Sequence, residues 1–151
     1  MATGAILTEE TRRAILDRKD QAATLLVECG HVARFAEAIG DPNPLFHDHQ
    51  AASGTRYGGL IAPPTFLRAV ETRTPSPPEL ASLTSVLDGG SEWEYHEPVR
   101  VGDTITAVTR ITSVRERVIN VGPAVFLAGE TLYSNQSGRT VARQRFTFIR
   151  Y

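Results

Sequence analysis

The sequence predicts an α+β domain in which helices from the first half pack on an antiparallel sheet built from the second half. Three observations carry this. Between residues 30 and 41 the apolar residues Val32, Phe35, Ala36 and Ile39 fall at i, i+3, i+4 and i+7, one stripe of a helix. After residue 90 the pattern switches to period two, in long runs rich in Thr, Val, Ile, Phe and Tyr. The links between those runs, PVRVGD, NVGP and NQSG, are short and made of turn residues, so the runs pair antiparallel. A sheet of this kind has an apolar face to cover, and the helices of the first half are the available cover.

Taken in order, residues 8 to 18 read as a helix with Thr8 as N-cap, Glu9 and Glu10 in its first turn and Arg12, Arg13 and Arg18 later. Residues 22 to 28 read as a first strand. The stripe at 30 to 41 is the second helix, ended by Gly40. DPNPLFHD then turns the chain, because two prolines and an Asn forbid regular structure. A third helix is expected in APPTFLRAVETRT at 62 to 74, with Phe66, Leu67 and Val70 on a buried face and Pro75 as the stop. The proline-rich stretch 74 to 90 reads as a surface connection. Strands are expected near 91 to 96, 103 to 117, 123 to 134 and 139 to 150.

At 151 residues the chain is expected to form one domain, 1–151, and with 41% hydrophobic and 22% charged residues its composition is globular. Sixteen Lys and Arg balance seventeen Asp and Glu, with no basic block, which argues against electrostatic nucleic-acid binding. The single Cys29 excludes an internal disulfide and a Cys-rich zinc site. The N-terminal residues reach charges before any long apolar run, so neither a signal peptide nor a membrane span is expected, and the expected location is cytoplasmic.

Among chemically able residues, Cys29 reads as a buried structural thiol, and His31 and His96 as packing or surface residues. His47, Asp48 and His49 form an HDH triplet, but no third and fourth ligand stands at suitable spacing, and no metal is expected. GDPNPLFHD differs in kind. Its structural role is to end a helix and make a turn. Its chemistry is a carboxylate and an imidazole on a proline-stiffened loop, a pair able to hold one water and move two protons.

FAEAIGDPNPLFHD at 35 to 48, GGLIAPPTF at 58 to 66, YHEPVRVGDTI at 95 to 105 and the closing LYSNQSGRTVARQRFTFIR resemble the MaoC-like dehydratases and (R)-specific enoyl-thioester hydratases of the hotdog fold. The resemblance implies an antiparallel sheet wrapped around a central helix, and dimers joined sheet edge to sheet edge. It also implies cofactor-free, reversible addition of water to a trans-2-enoyl thioester of CoA or acyl carrier protein. Carried onto this sequence, His47 would activate the water, and Asp41 would share it and protonate the alpha carbon. Asn43 would fix the loop, the Thr65 and Phe66 amides would polarise the carbonyl, and Phe46 would touch substrate.

Two departures stand in the sequence. The family motif has its His five residues after the Asp; Asp41, Asn43 and Pro44 match, but that register holds Phe46, and His47 comes one residue later. Pro63 and Pro64 occupy the stretch where the family offers a glycine N–H, and proline has none. Both departures resemble the N-terminal, fatty-acid-synthase-like dehydratase subgroup, which includes noncatalytic halves. The alternative expectation is therefore a noncatalytic hotdog subunit paired with a catalytic MaoC-like chain. In either case a homodimer or heterodimer is expected.

Overall fold

Strands β1 (Gln21–Leu26), β2 (Val86–Tyr95), β3 (Thr104–Ile119), β4 (Gly122–Ser134) and β5 (Thr140–Arg150) form one antiparallel sheet in the order β1-β3-β4-β5-β2. The computed structural model describes residues 6–18, 20–71 and 75–151. Alternation along the strands selects the face that is covered: Ile105, Ala107 and Thr109 of β3 share one buried side, where Ala107 pairs with Tyr133 and Thr109 with Thr131 of β4, and Ala142 of β5 pairs with Tyr133 beyond. Between Ile111 and Ser113 a bulge inserts one residue into β3. Val114 thereby returns to the face of Leu127, and Glu116 to that of Val125. Without it every later side chain of the strand would point to the wrong side.

Helix α1 spans Glu9–Leu16 and helix α2 spans Cys29–Ala38. The α2 stripe buries Val32 and Ala36 in a cluster with Ile105, Ala107, Tyr133 and Ala142. Its end is a Schellman motif: Gly40 takes φ 69°, the Gly40 N–H donates to Glu37 O at 3.0 Å, and the Asp41 N–H reaches back to Ala36 O at 2.9 Å. Thr8 caps α1 by accepting the Thr11 N–H at 3.1 Å, and Ile15 enters a second cluster with Leu80, Leu83, Val114, Val125 and Leu127. The Glu116 carboxylate closes that end by accepting the Ile6 and Leu7 amides at 3.2 and 2.8 Å.

Two expectations change. The stretch 62 to 74 is no α-helix: it holds a 3-10 helix over Pro64–Ala69, and Val70 is already extended. Two adjacent prolines remove amide donors at its start, and the spacing of three in a 3-10 turn suffices to bury Leu67 and Val70, whose N–H donates to Leu67 O at 3.2 Å. Residues 72–74 of the expected helix lie outside the described residues. The connection 74 to 90 is not a surface feature throughout. Pro75, Pro77, Leu80 and Leu83 are buried, a short 3-10 helix forms at Pro78–Leu80, and β2 begins at Val86 rather than 91. Asp88-Gly89-Gly90, which has turn composition, is a bulge within β2, where the register to β5 shifts between Asp88 and Ser91. Among the described residues, no helix is long and apolar enough to cross a membrane.

Candidate functional site

The loop after α2 is built from two successive side-chain turns. Asp41 Oδ1 accepts the Asn43 N–H at 3.1 Å, and Asn43 Oδ1 accepts the Leu45 N–H at 3.1 Å, launching a 3-10 turn at Pro44–Phe46. That turn drives Phe46 inward, 5% exposed, and leaves the following His47 exposed. Asp48 is spent as the cap of helix α3 (His49–Ser53), accepting the Ala51 N–H at 3.0 Å. The HDH triplet therefore spans the end of one turn and the start of a helix. His49 Nε2 lies 3.8 Å from Sγ of the half-buried Cys29, a neighbour that no local spacing announces.

A cleft of about 580 Å³ opens between this loop, the 3-10 helix at Pro64–Ala69 and the chain from Tyr95 to Arg100. Phe46, Ile61, Leu67 and Val99 give it apolar walls, and Asn43 borders it. Its charged margin is Arg56, Arg100 and Glu97. Arg56 Nη2 donates to the Tyr57 hydroxyl at 2.8 Å, and its guanidinium also stands 4.9 Å from the Tyr57 ring centroid. That hydrogen bond, with the electrostatic pull of Tyr57, holds the Arg56 pKa above its ordinary value. Burial pushes the Tyr95 hydroxyl upward, and the nearby Arg68 opposes it.

Of the residues expected to act, the structure brings Asn43 and Phe46 to the cleft. Asp41 is half-buried and braces the loop, and His47 is solvent-facing; no hydrogen bond joins them among the described residues. Thr65 is exposed and does not line the cleft. The Phe66 N–H is taken by Pro63 O at 2.9 Å, and its ring is buried edge-on against Phe35 and His31, at centroid distances of 5.4 and 4.9 Å. Sequence reasoning missed Arg56, Tyr57 and Arg100. The only signal was a pair of cation-bearing turn segments, TRYGG and PVRVG, whose meeting depends on the Ile61 to Arg100 bridge.

A sheet with a helix laid on one face is the architecture of a hotdog domain, and here a proline-braced loop and an apolar cleft stand beside it. Residues 17–144 match the family described as FAS1-like, dehydratase domain region, and the chain belongs to it. It is 37% identical over 89 residues to a UPF0336 protein of Streptomyces avermitilis, covering 56% of this chain and 59% of that one. It is 30% identical over 138 residues to a probable enoyl-CoA hydratase alpha subunit of Thermomonospora curvata, covering 80% of this chain and 43% of that protein. The chain thus spans about half the length of these relatives. In fold it is similar to a chain of the ChsH1-ChsH2 complex from Mycobacterium tuberculosis, with TM-score 0.72, 20% identity, and 89% of this chain and 88% of that one covered.

Proposed function

We propose that this chain is the substrate-holding half of a heteromeric hydro-lyase acting on acyl thioesters, with the acid-base pair supplied by a second hotdog chain. The observation that carries the reading is the inversion at Phe46 and His47. The position in the family's His register is a phenyl ring in the cleft wall, and the imidazole one residue on is exposed. Hydration of an enoyl thioester needs a base within hydrogen-bond reach of the attacking water, and a phenyl ring has no lone pair to offer. What it does offer is apolar wall for an acyl chain. The subunit designation of one relative and the two-chain assembly of one structural neighbour support the same reading.

The test is co-expression with a catalytic MaoC-like chain, followed by loss of enoyl absorbance on a short enoyl-CoA. The expected result is an inert isolated chain, an active complex, and unchanged activity of the complex with His47→Gln. Full activity of the isolated chain overturns the reading.

A second reading is favoured by the match of Asp41, Asn43 and Pro44 to the hydratase motif. In it the chain is itself the hydro-lyase, His47 activates water after the loop shifts, Asp41 protonates the alpha carbon and the Thr65 amide polarises the carbonyl. Asp41→Asn and His47→Gln would then each abolish activity of the chain alone; equal activity of both variants and the wild type dismisses it.

A further inference from the structure

We propose that Tyr95 is an aromatic shelf at the cleft, selecting thioesters whose acyl group carries a flat aromatic ring. This rests on the reading that the cleft takes an acyl thioester, and adds the class of acyl group and the residue that chooses it.

The shelf is the last of three rings stacked from the core to the cleft. Trp93 and Tyr95 stand two apart on β2, so both project from one face of the sheet. Ala142 of β5 pairs with Tyr95 on one side and with Tyr133 of β4 on the other, and it is fully buried. Its single methyl leaves room for the Trp93 indole to reach across. The indole lies 5.4 Å from the Tyr133 ring at an interplanar angle of 26°, and 5.8 Å from the Tyr95 ring at 9°. Tyr133 is buried and donates its hydroxyl to Gln144 Oε1 at 3.3 Å, which fixes the foot of the column. Tyr95, at the head, is 46% exposed and borders the cleft.

The other Phe and Tyr rings that border the cleft among the described residues are already engaged. Phe46 is committed to the core, and Tyr57 carries the Arg56 guanidinium at 4.9 Å from its centroid. Tyr95 has Trp93 against it, and no second ring or guanidinium stacks on it among the described residues. The aliphatic walls, Ile61, Leu67 and Val99, favour any apolar group in proportion to the area it buries. A ring on the shelf adds an attraction beyond that area, and it depends on aromatic geometry. Because the column holds Tyr95 in place beforehand, little side-chain freedom is lost when a ligand stacks on it. A space of about 580 Å³ is of ordinary size for one such molecule.

The experiment is calorimetric titration of the assembly in which the chain purifies, using 3-phenylpropanoyl-CoA and 3-cyclohexylpropanoyl-CoA. Both are saturated thioesters that cannot be hydrated, so binding is read at equilibrium, and the two differ in aromaticity at nearly equal size. The phenyl thioester is expected to bind about fivefold tighter. Tyr95→Leu, at a half-exposed side chain, is expected to erase that preference with circular dichroism unchanged, and Tyr95→Phe, which keeps the ring, to retain it. Equal or weaker binding of the phenyl thioester by the wild type overturns the shelf and leaves the acyl cleft standing. A preference that survives Tyr95→Leu belongs to another ring and also overturns it. Loss in Tyr95→Phe as large as in Tyr95→Leu assigns the effect to the hydroxyl, with the same consequence. Failure of both thioesters to bind overturns the cleft reading itself.

Discussion

Phe46 and His47 are adjacent in sequence and opposite in environment: Phe46 is 5% exposed in the core cluster with Ile61, Leu67 and Val99, and His47 lies in solvent. Removing the ring leaves a cavity beside an existing cleft. Phe46→Ala is therefore expected to cost about 3–4 kcal/mol in urea unfolding. His47→Ala is expected to stay within about 0.5 kcal/mol of wild type. Comparable losses for the two variants would mean that the imidazole is held in solution by contacts this geometry lacks.

Gly129 of β4 sits where no side chain fits. A Cβ there would stand 2.5 Å from the Arg110 carbonyl oxygen and 2.5 Å from Phe146 Cζ. The ring end can swing away; the backbone oxygen of the neighbouring strand cannot. Gly129→Ala is expected to destabilise by about 2–3 kcal/mol. Adding Phe146→Ala should recover only the part due to the ring, which a double-mutant cycle reads directly.

The helix at 30 to 41 and the long strands were legible because their signals are local: a stripe of period 3.6 and runs of period two. Residues 86 to 90 were not, since Asp88-Gly89-Gly90 has turn composition and only pairing with β5 makes it a bulge. Pro75 and Pro77 look like surface residues until Leu80 and Leu83 anchor their segment in the second cluster. The 3-10 helix after Pro63 is indistinguishable from an α-helix in sequence, because Phe66, Leu67 and Val70 satisfy either helical period over so short a span. The loop residues Asp41, Asn43 and Phe46 could be nominated from the sequence. Arg56 and Arg100 are 44 positions apart and come to one cleft only through the fold.

Asp103 is a carboxylate buried to 8% exposure that holds together the turn carrying Arg100. Its Oδ2 accepts the Arg100 N–H at 2.8 Å, and its Oδ1 accepts Gln136 Nε2 at 2.9 Å. Gln136 in turn accepts the Thr104 N–H at 3.0 Å, tying the start of β3 to the β4–β5 turn. Asp103→Ala leaves these donors without an acceptor and is expected to cost about 3 kcal/mol in denaturant unfolding. Asp103→Asn, which keeps one acceptor oxygen, should cost less; the reverse order would point to charge rather than hydrogen bonding as the source.

β2 is an edge strand, exposed along its whole length except at Trp93, and it presents Leu87 at 51% and Val86 at 45% exposure. An uncovered edge with apolar side chains invites pairing with another sheet. Val86→Lys with Leu87→Lys is expected to shift the assembly toward monomer in analytical ultracentrifugation, leaving circular dichroism unchanged. An unaltered sedimentation coefficient would assign the contact to another surface.

Glu94 of β2 accepts a 2.6 Å hydrogen bond from Arg145 Nη1 of β5. That bond, followed by the charge of Arg145, holds the Glu94 carboxyl below its ordinary value of 4.5; burial opposes the shift, and Arg143 and His96 add to it. Because the folded-state pKa is the lower one, the folded state binds fewer protons here than the unfolded chain. The contribution is therefore complete above pH 4.5 and is lost as pH falls through the folded-state value. In Arg145→Gln the Glu94 carboxyl resonance is expected to titrate closer to 4.5, and the fall in unfolding midpoint on acidification to be shallower. Added salt should move the wild type the same way, since the pair is exposed and screened. A Glu94 titration unmoved by the substitution would show that Arg145 is not the cause.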